Sequence, residues 1–376
     1  MKEHKILFVC GDRSADNYLS LLLKNIKQIS PQTKTIVVGG GKSKSFADKF
    51  VVDLVSYDAH GFFSPFTKFI KFVNLAKKIK YTIKEEQPSL VVLMDYYGFN
   101  IRVAKIAKKL GVKTIYYITP QVWASRKYRI KKIKKYVDFV INIYPFEPQL
   151  FSSYGIKSFY FGHPITDIIK DIRTYQKTNI IGVFPGSRKQ VIKWNLPVML
   201  KIVQNFIKNY SEQYKFVIFG FEKYKKVYEN IVKDNVEESY QKYIQMNTQK
   251  DNLRKEICFA VSVSGTVVLE NIFYNIPTVV VYNLPTLMYL LLKKIVYVKY
   301  ISLPNLLLNE DVVPEFIKNK IDIEKICSYI IDILTNNYKL EELLYKYQKI
   351  KVLLSHNKDV SLSVAKKIVE YAYEQN

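Results

Sequence analysis

Short apolar runs bounded by polar turns recur along the chain, and longer stretches with helical spacing separate them. The runs predict strands over 5–10, 34–38, 89–94, 113–118 and 137–143, then over 179–184, 215–219, 259–263 and 277–282. Runs this short and continuously apolar suit strands buried on both faces. Between them, N-I-R-V-A-K-I-A-K-K-L at 100–110 has helical spacing and stops at Gly111, a natural C-cap. Residues 18–29 read as another helix. Alternation of this kind builds parallel sheets covered by helices on both faces.

The pattern starts twice. One set of strands runs to about residue 161, and a fresh strand, N-I-I-G-V-F, opens at Asn179. The polar stretch D-I-I-K-D-I-R-T-Y-Q-K-T, 167–178, reads as the joint. The expected architecture is α/β: two Rossmann-like, doubly wound domains facing each other across a cleft. The first is 1–165, with C-terminal helices within 345–376 packing back on it, and the second is 178–340. In such sheets ligands collect at the carboxyl ends of the strands.

Composition narrows the function classes. The 376 residues are 48% hydrophobic with a net charge of +25, which marks a folded chain attractive to anionic surfaces. The basic residues are spread along the chain, and Lys, Ile, Tyr and Asn are all abundant. A chain-wide compositional bias is therefore preferred over a nucleic-acid binder, with a membrane-surface preference as the functional remainder. Cys10, Cys258 and Cys327 form no C-x-x-C, and His4, His60, His163 and His356 lack metal-ligand spacing, so no metal site is expected. Neither a signal peptide nor an apolar run long enough to span a bilayer is read, and a cytoplasmic protein is the default.

The candidate chemistry falls at strand ends. I-L-F-V-C-G-D-R-S-A-D-N opens like a nucleotide-binding domain, yet Gly11 has no second or third glycine to admit a pyrophosphate. In G-V-F-P-G-S-R-K-Q, 182–190, Gly186 and Ser187 turn a strand into a helix whose first N–H groups suit a diphosphate, and Arg188 adds a cationic grip. An ordinary capped turn explains that loop equally well. Farther on, Ser264, Gly265 and Thr266 lead a strand into a helix carrying Glu270, which can accept ribose hydroxyls or serve as a surface acid favoured by the helix dipole. Asp95, at the end of V-V-L-M-D-Y-Y-G-F-N, is a candidate general base or a helix cap, with Asn100 the better-placed cap. Pro120, Trp123 and Arg126 follow the next strand.

These motifs, in this order, resemble lipid-A-disaccharide synthase, an inverting glycosyltransferase of the two-domain B type. The resemblance rests on M-D-Y-Y-G-F-N, T-P-Q-V-W-A-S-R, Y-P-F-E, F-G-H-P-I-T-D, F-P-G-S-R, S-G-T-V-V-L-E, and S-L-P-N-L-L followed by V-V-P-E. It implies condensation of UDP-2,3-diacylglucosamine with 2,3-diacylglucosamine 1-phosphate to a β-1,6 disaccharide and UDP. It implies Asp95 as base, with Arg188 steadying the departing diphosphate. It places the nucleotide on Gly186, Ser187, Arg188, Ser264, Gly265, Thr266, Glu270 and Asn305. Gly11, Asp12, Ser14, Asp16 and Trp123 fall on the acceptor side, and His163-Pro164 matches a hinge motif. No cofactor beyond the donor substrate and no metal is implied. The partners implied are the acylated donor and acceptor and the cytoplasmic face of the inner membrane, with no nucleic acid; oligomeric state stays open.

The chain departs from the family pattern in G-E-x-S-G-D, where Asp12 and Ala15 replace Glu and Gly. It departs again in D-x-P-D-F-N, where Tyr97 and Gly98 replace Pro and Asp, and at Val191 and Lys318. A related transferase with another lipid acceptor, a UDP-sugar epimerase, and a non-catalytic binding protein remain rival readings. Acylated substrates call for bilayer contact. Residues 61–80, rich in Phe and Lys, suit an interfacial helix (Phe66, Phe69, Ile70 and Val73 on one face) or, equally, a core helix. M-Y-L-L-L-K-K-I-V-Y, 288–297, is a second candidate patch, read in preference as core.

Overall fold

Thirteen described strands form two wholly parallel sheets, each belonging to its own compact unit. The computed structural model describes residues 4–59, 65–170, 174–248 and 253–374, without the side chains of 57–59, 65–71 and 319. The first sheet comprises β1 Lys5–Cys10, β2 Lys34–Gly39, β3 Lys49–Asp53, β4 Leu90–Met94, β5 Lys113–Tyr117, β6 Phe139–Asn142 and β7 Lys157–Tyr160. Its order is β3-β2-β1-β4-β5-β6-β7. The second comprises β8 Ile180–Phe184, β9 Lys215–Phe219, β10 Ile244–Asn247, β11 Ile257–Ser262, β12 Thr278–Tyr282 and β13 Glu315–Ile317, in the order β10-β9-β8-β11-β12-β13. Both are Rossmann-like, and each order reverses once, between β1 and β4 and between β8 and β11. A reversal leaves a crevice at the strand ends where ligands bind.

The first unit is Met1–Ile168 with Leu353–Asn376; the second is Ile169–Val352. The boundary near the C-terminus therefore lies later than the expected 345. Helix Asn337–Leu354 is tied to the second unit, where the Tyr347 hydroxyl accepts from Thr278 N at 3.2 Å and Lys351 Nζ donates to Asn275 Oδ1 at 2.6 Å. Only helix Val360–Tyr373 returns wholly to the first unit. It packs on helix Arg13–Ile29, and the Tyr373 hydroxyl lies 3.1 Å from both Ser30 Oγ and Thr33 Oγ1.

Of the two amphipathic stretches, only the second departs from its expectation. The described end of helix Pro65–Glu86 turns Leu75, Ile79 and Ile83 into the core, and Phe72 packs on Phe99 at 5.7 Å. The side chains of Phe66, Phe69 and Ile70 lie outside the described residues. Residues 288–297 are not core: helix Thr286–Ile295 has no buried residue.

Helix Arg13–Ile29 starts earlier than the expected residue 18. Asp12 is its N-cap, with Oδ1 accepting from Ser14 N at 2.9 Å, so the shorter acid still caps the helix. Ala15 lies inside the first turn and is buried, where no left-handed backbone is required. Restoring the family residue, Ala15→Gly, is expected to destabilise the protein by about 1 kcal/mol in denaturant unfolding, because glycine is the poorer helix former.

His163 is fully buried beside the rings of Tyr18 and Tyr144. Its N donates to Leu354 O at 2.9 Å and its Nδ1 accepts from Ile165 N at 3.1 Å, so the proton sits on Nε2, which has no partner. Burial pushes its pKa down to about 3. The unfolded chain therefore takes up a proton below about pH 6.5 that the native state refuses, and stability falls as pH drops towards 3. That slope is about 1.4 kcal/mol per pH unit at most. The stability gap between the protein and His163→Phe is expected to narrow by roughly 2 kcal/mol from about pH 7 to about pH 5 in urea titrations.

Candidate active site

The second unit places both Gly-Ser loops at its strand-order reversal. β8 and β11 end in register, Val183 with Val261 and Phe184 with Ser262, so the loops leave side by side. Val263 N donates to Phe184 O at 3.0 Å and ties them. Gly186 has φ +104°, and a Cβ there would lie 2.9 Å from Val191 Cγ1 and 3.3 Å from Val263 Cγ2. Only glycine fits, because the backbone is left-handed and the neighbouring loop leaves no room.

Arg188 is the N-cap of helix Lys189–Asn209, in extended backbone and without a side-chain cap bond. The macrodipole at this helix start favours an anion. Ser187 and Arg188 are exposed, and Arg188 makes no ion pair among the described residues. The helix is anchored elsewhere: Asn195 Oδ1 accepts from Asn283 N at 2.7 Å.

The second loop is more committed to the fold. Ser264 Oγ donates to Ile301 O at 2.7 Å. Gly265 caps helix Thr266–Phe273 in extended backbone, with no atom within 4 Å of where a Cβ would stand. Glu270, one turn on, is paired through Oε2 with Arg254 Nη1. Arg254 is buried; its Nη2 donates to Asn271 Oδ1 at 2.7 Å, and its plane lies 5.1 Å from the Phe184 ring. Sequence reasoning missed Arg254, one cation in a chain with 58 Lys and Arg and no motif to single it out.

Asn305 requires correction as a nucleotide ligand. It is fully buried; Oδ1 accepts from Val312 N at 2.9 Å and Val313 N at 2.8 Å, and Nδ2 donates to Val313 O at 2.8 Å and Glu315 Oε1 at 3.0 Å. Glu315 also accepts from Ile301 N at 3.0 Å and Ser302 N at 2.8 Å. S-L-P-N and V-V-P-E therefore form a latch that holds the loop beneath Ser264, and the amide has no atom left for a ligand.

In the first unit the corresponding reversal puts Gly11 beside Asp95, since Cys10 pairs with Met94. A Cβ on Gly11 would stand 2.5 Å from the Tyr96 ring. Asp95 and Tyr96 are both left-handed, φ +50° and +44°, which costs of order 1–3 kcal/mol each and persists only where neighbours enforce it. The enforcing bonds are explicit. Asp95 N donates to Ile118 O at 3.1 Å; Asp95 O accepts from the Tyr116 hydroxyl at 2.5 Å and Asn100 Nδ2 at 2.8 Å. The helix cap is Tyr96, so neither Asp95 nor Asn100 plays the capping part expected. Asp95 is half-buried at the strand end. Tyr97, in the place of the family proline, lies 4.4 Å beneath the Arg129 guanidinium.

Two acceptor-side candidates prove structural in their polar atoms. Asp16 is buried, and its carboxylate accepts from Gly40 N at 2.8 Å, Lys42 N at 3.1 Å and the Ser43 hydroxyl, which pins the turn after β2. The Trp123 indole N–H donates to Glu147 Oε1 at 3.1 Å, leaving only the half-buried ring to meet a ligand. Glu147, unremarked beyond the Y-P-F-E motif, is fully buried and also accepts from Ile143 N at 3.2 Å and Tyr144 N at 3.1 Å. Burial raises its pKa to about 7 against those donors.

A family model for lipid-A-disaccharide synthetase matches residues 6–369. The lipid-A-disaccharide synthase of Trichlorobacter lovleyi is 30% identical over 340 residues, covering 87% of this chain and 87% of that one. That of Sulfurihydrogenibium sp. is 29% identical over 366 residues, covering 92% and 91%. Among solved structures, UDP-GlcNAc 2-epimerase of Neisseria meningitidis bound to UDP-GlcNAc aligns with a TM-score of 0.61 at 10% identity, covering 98% of this chain and 100% of that one. UDP-N-acetylglucosamine 2-epimerase of Rickettsia bellii aligns with a TM-score of 0.64 at 12% identity, covering 99% and 98%. At such identities the likeness concerns the fold alone.

Proposed function

The chain belongs to the lipid-A-disaccharide synthetase family of glycosyltransferases, and from that premise we propose that it joins UDP-2,3-diacylglucosamine to 2,3-diacylglucosamine 1-phosphate. Asp95 takes the proton of the acceptor's primary hydroxyl as that oxygen attacks the anomeric carbon. The bond from that carbon to the diphosphate breaks, its electron pair leaves with UDP, and the configuration inverts to a β-1,6 linkage. Arg188 and the N–H groups at the start of helix Lys189–Asn209 steady the charge that develops on UDP. Glu270, oriented by Arg254, receives the ribose.

The observation that carries this reading is the pairing of the loops after β8 and β11, locked by Gly186 against Val263 at the strand-order reversal. A glycine turn that opens a helix at a strand-order reversal is where a diphosphate is ordinarily received. Because donor and acceptor are both acylated, the reaction would take place at a bilayer surface, on this reading the cytoplasmic face of the inner membrane.

The test is incubation with the UDP-linked donor, with and without the phosphorylated acceptor. Disaccharide formed only with acceptor is the expected result. UDP released without acceptor would point to the epimerase or hydrolase side, and no turnover with either substrate set would return the chain to a binding protein.

A further inference from the structure

The apolar residues of helix Thr286–Ile295 are turned outward. Leu287 is 72% exposed, Leu291 54% and Leu290 52%, with Met288, Leu292 and, beyond the helix, Tyr297 also exposed. Aliphatic side chains of this size are ordinarily scattered singly on a surface; five on one ten-residue helix form a patch that calls for a partner. The surroundings say which partner. Residues 271–309 contain no aspartate or glutamate, while Lys293, Lys294 and Lys299 sit at the end of the helix and just past it, all exposed. Long lysine stems can lie along an apolar layer and carry their charge back to an anionic interface.

The position of the helix in its unit gives the patch a purpose. The chain enters it from Asn283, bonded to the helix that Arg188 caps, and from Tyr282, which lies within the field of the Arg188 charge. It leaves through Ile301, whose carbonyl receives the Ser264 hydroxyl. One end of the apolar segment is thus fastened to the helix that follows the first Gly-Ser loop, and the other end to the second loop itself.

We propose that helix Thr286–Ile295 is a bilayer-docking element of the second unit, seated among anionic lipid headgroups with Leu287, Leu290 and Leu291 below them. Docking there holds the donor site at the surface where an acylated sugar nucleotide lies. That purpose rests on the function proposed above, whereas the docking itself does not.

The experiment uses the full chain without substrates, floated with phosphatidylcholine vesicles with and without phosphatidylglycerol. Leu287→Ser/Leu291→Ser is expected to lose at least about tenfold in vesicle partition, and Lys293→Gln/Lys294→Gln to lose the preference for anionic lipid. Cys10, Cys258 and Cys327 are buried, so Leu291→Cys can carry an environment-sensitive dye, whose emission is expected to shift to the blue on anionic vesicles. An unshifted dye, an unchanged partition of the leucine variant, or no vesicle binding by the parent overturns the proposal. So does a leucine variant that changes only from a larger to a smaller assembly in light scattering, since the patch is then an interface between copies. Loss of disaccharide synthesis in the substrate assay, with vesicle results as expected, would overturn the function and leave the docking standing.

Discussion

Asp95→Asn is expected to lower turnover about 10²–10⁴-fold, the range general-base removal produces, with UDP affinity changed less than about twofold. The asparagine is nearly isosteric and tolerates the left-handed backbone that Asp95 adopts. Three main-chain bonds hold this position, from Asp95 N to Ile118 and from Tyr116 and Asn100 to Asp95 O, and the substitution removes none of these three. A fall in rate with UDP affinity and the unfolding midpoint unchanged would report the lost base and not a displaced loop. Equilibrium binding of UDP and single-turnover rates separate the two. A variant that retains turnover within a few fold removes Asp95 from the chemistry.

Arg188→Ala is expected to reduce kcat by about 10²–10³-fold while leaving the unfolding midpoint unchanged. The split follows from its surroundings. The side chain is exposed and makes no ion pair among the described residues, so it contributes little to the fold. The helix it caps is anchored through Asn195 and Asn283 and keeps its start without the guanidinium. Arg188→Lys should recover only part of the loss, because a lysine offers a point charge without the bidentate geometry. Steady-state rates beside thermal unfolding check both halves.

What could be read in the amino-acid order depended on how a segment is solvated. The central strands β1, β4, β5, β8 and β11 are covered on both faces, so they appear as unbroken apolar runs. β3, β7, β10 and β13 were not predicted; each lies at a sheet edge, half-exposed, with K-F-V-V-D, K-S-F-Y, I-Q-M-N and E-F-I too polar or too short to stand out. The loops bearing Gly186 and Gly265 were visible because glycine and serine after an apolar run mark a turn. The partners that make them rigid were not. Arg254 meets Glu270 from 16 positions away, and Glu315 closes the latch on Asn305 from ten positions on. Such pairings exist only once the sheet sets the spacing. Asn305 and Asp16 were overread for the same reason: a polar residue in a motif looks like a ligand until its bonds are traced, and theirs end within the protein.

Helix Val360–Tyr373 lies against helix Arg13–Ile29, although the second unit separates them in the chain. During synthesis the first sheet leaves the ribosome with the face of helix Arg13–Ile29 that meets Val360–Tyr373 uncovered, and its shield arrives roughly ten seconds or more later. A premature stop after the second unit would thus strike the opposite end of the polypeptide, leaving the amino-terminal layers sticky while the later-made sheet matures undisturbed.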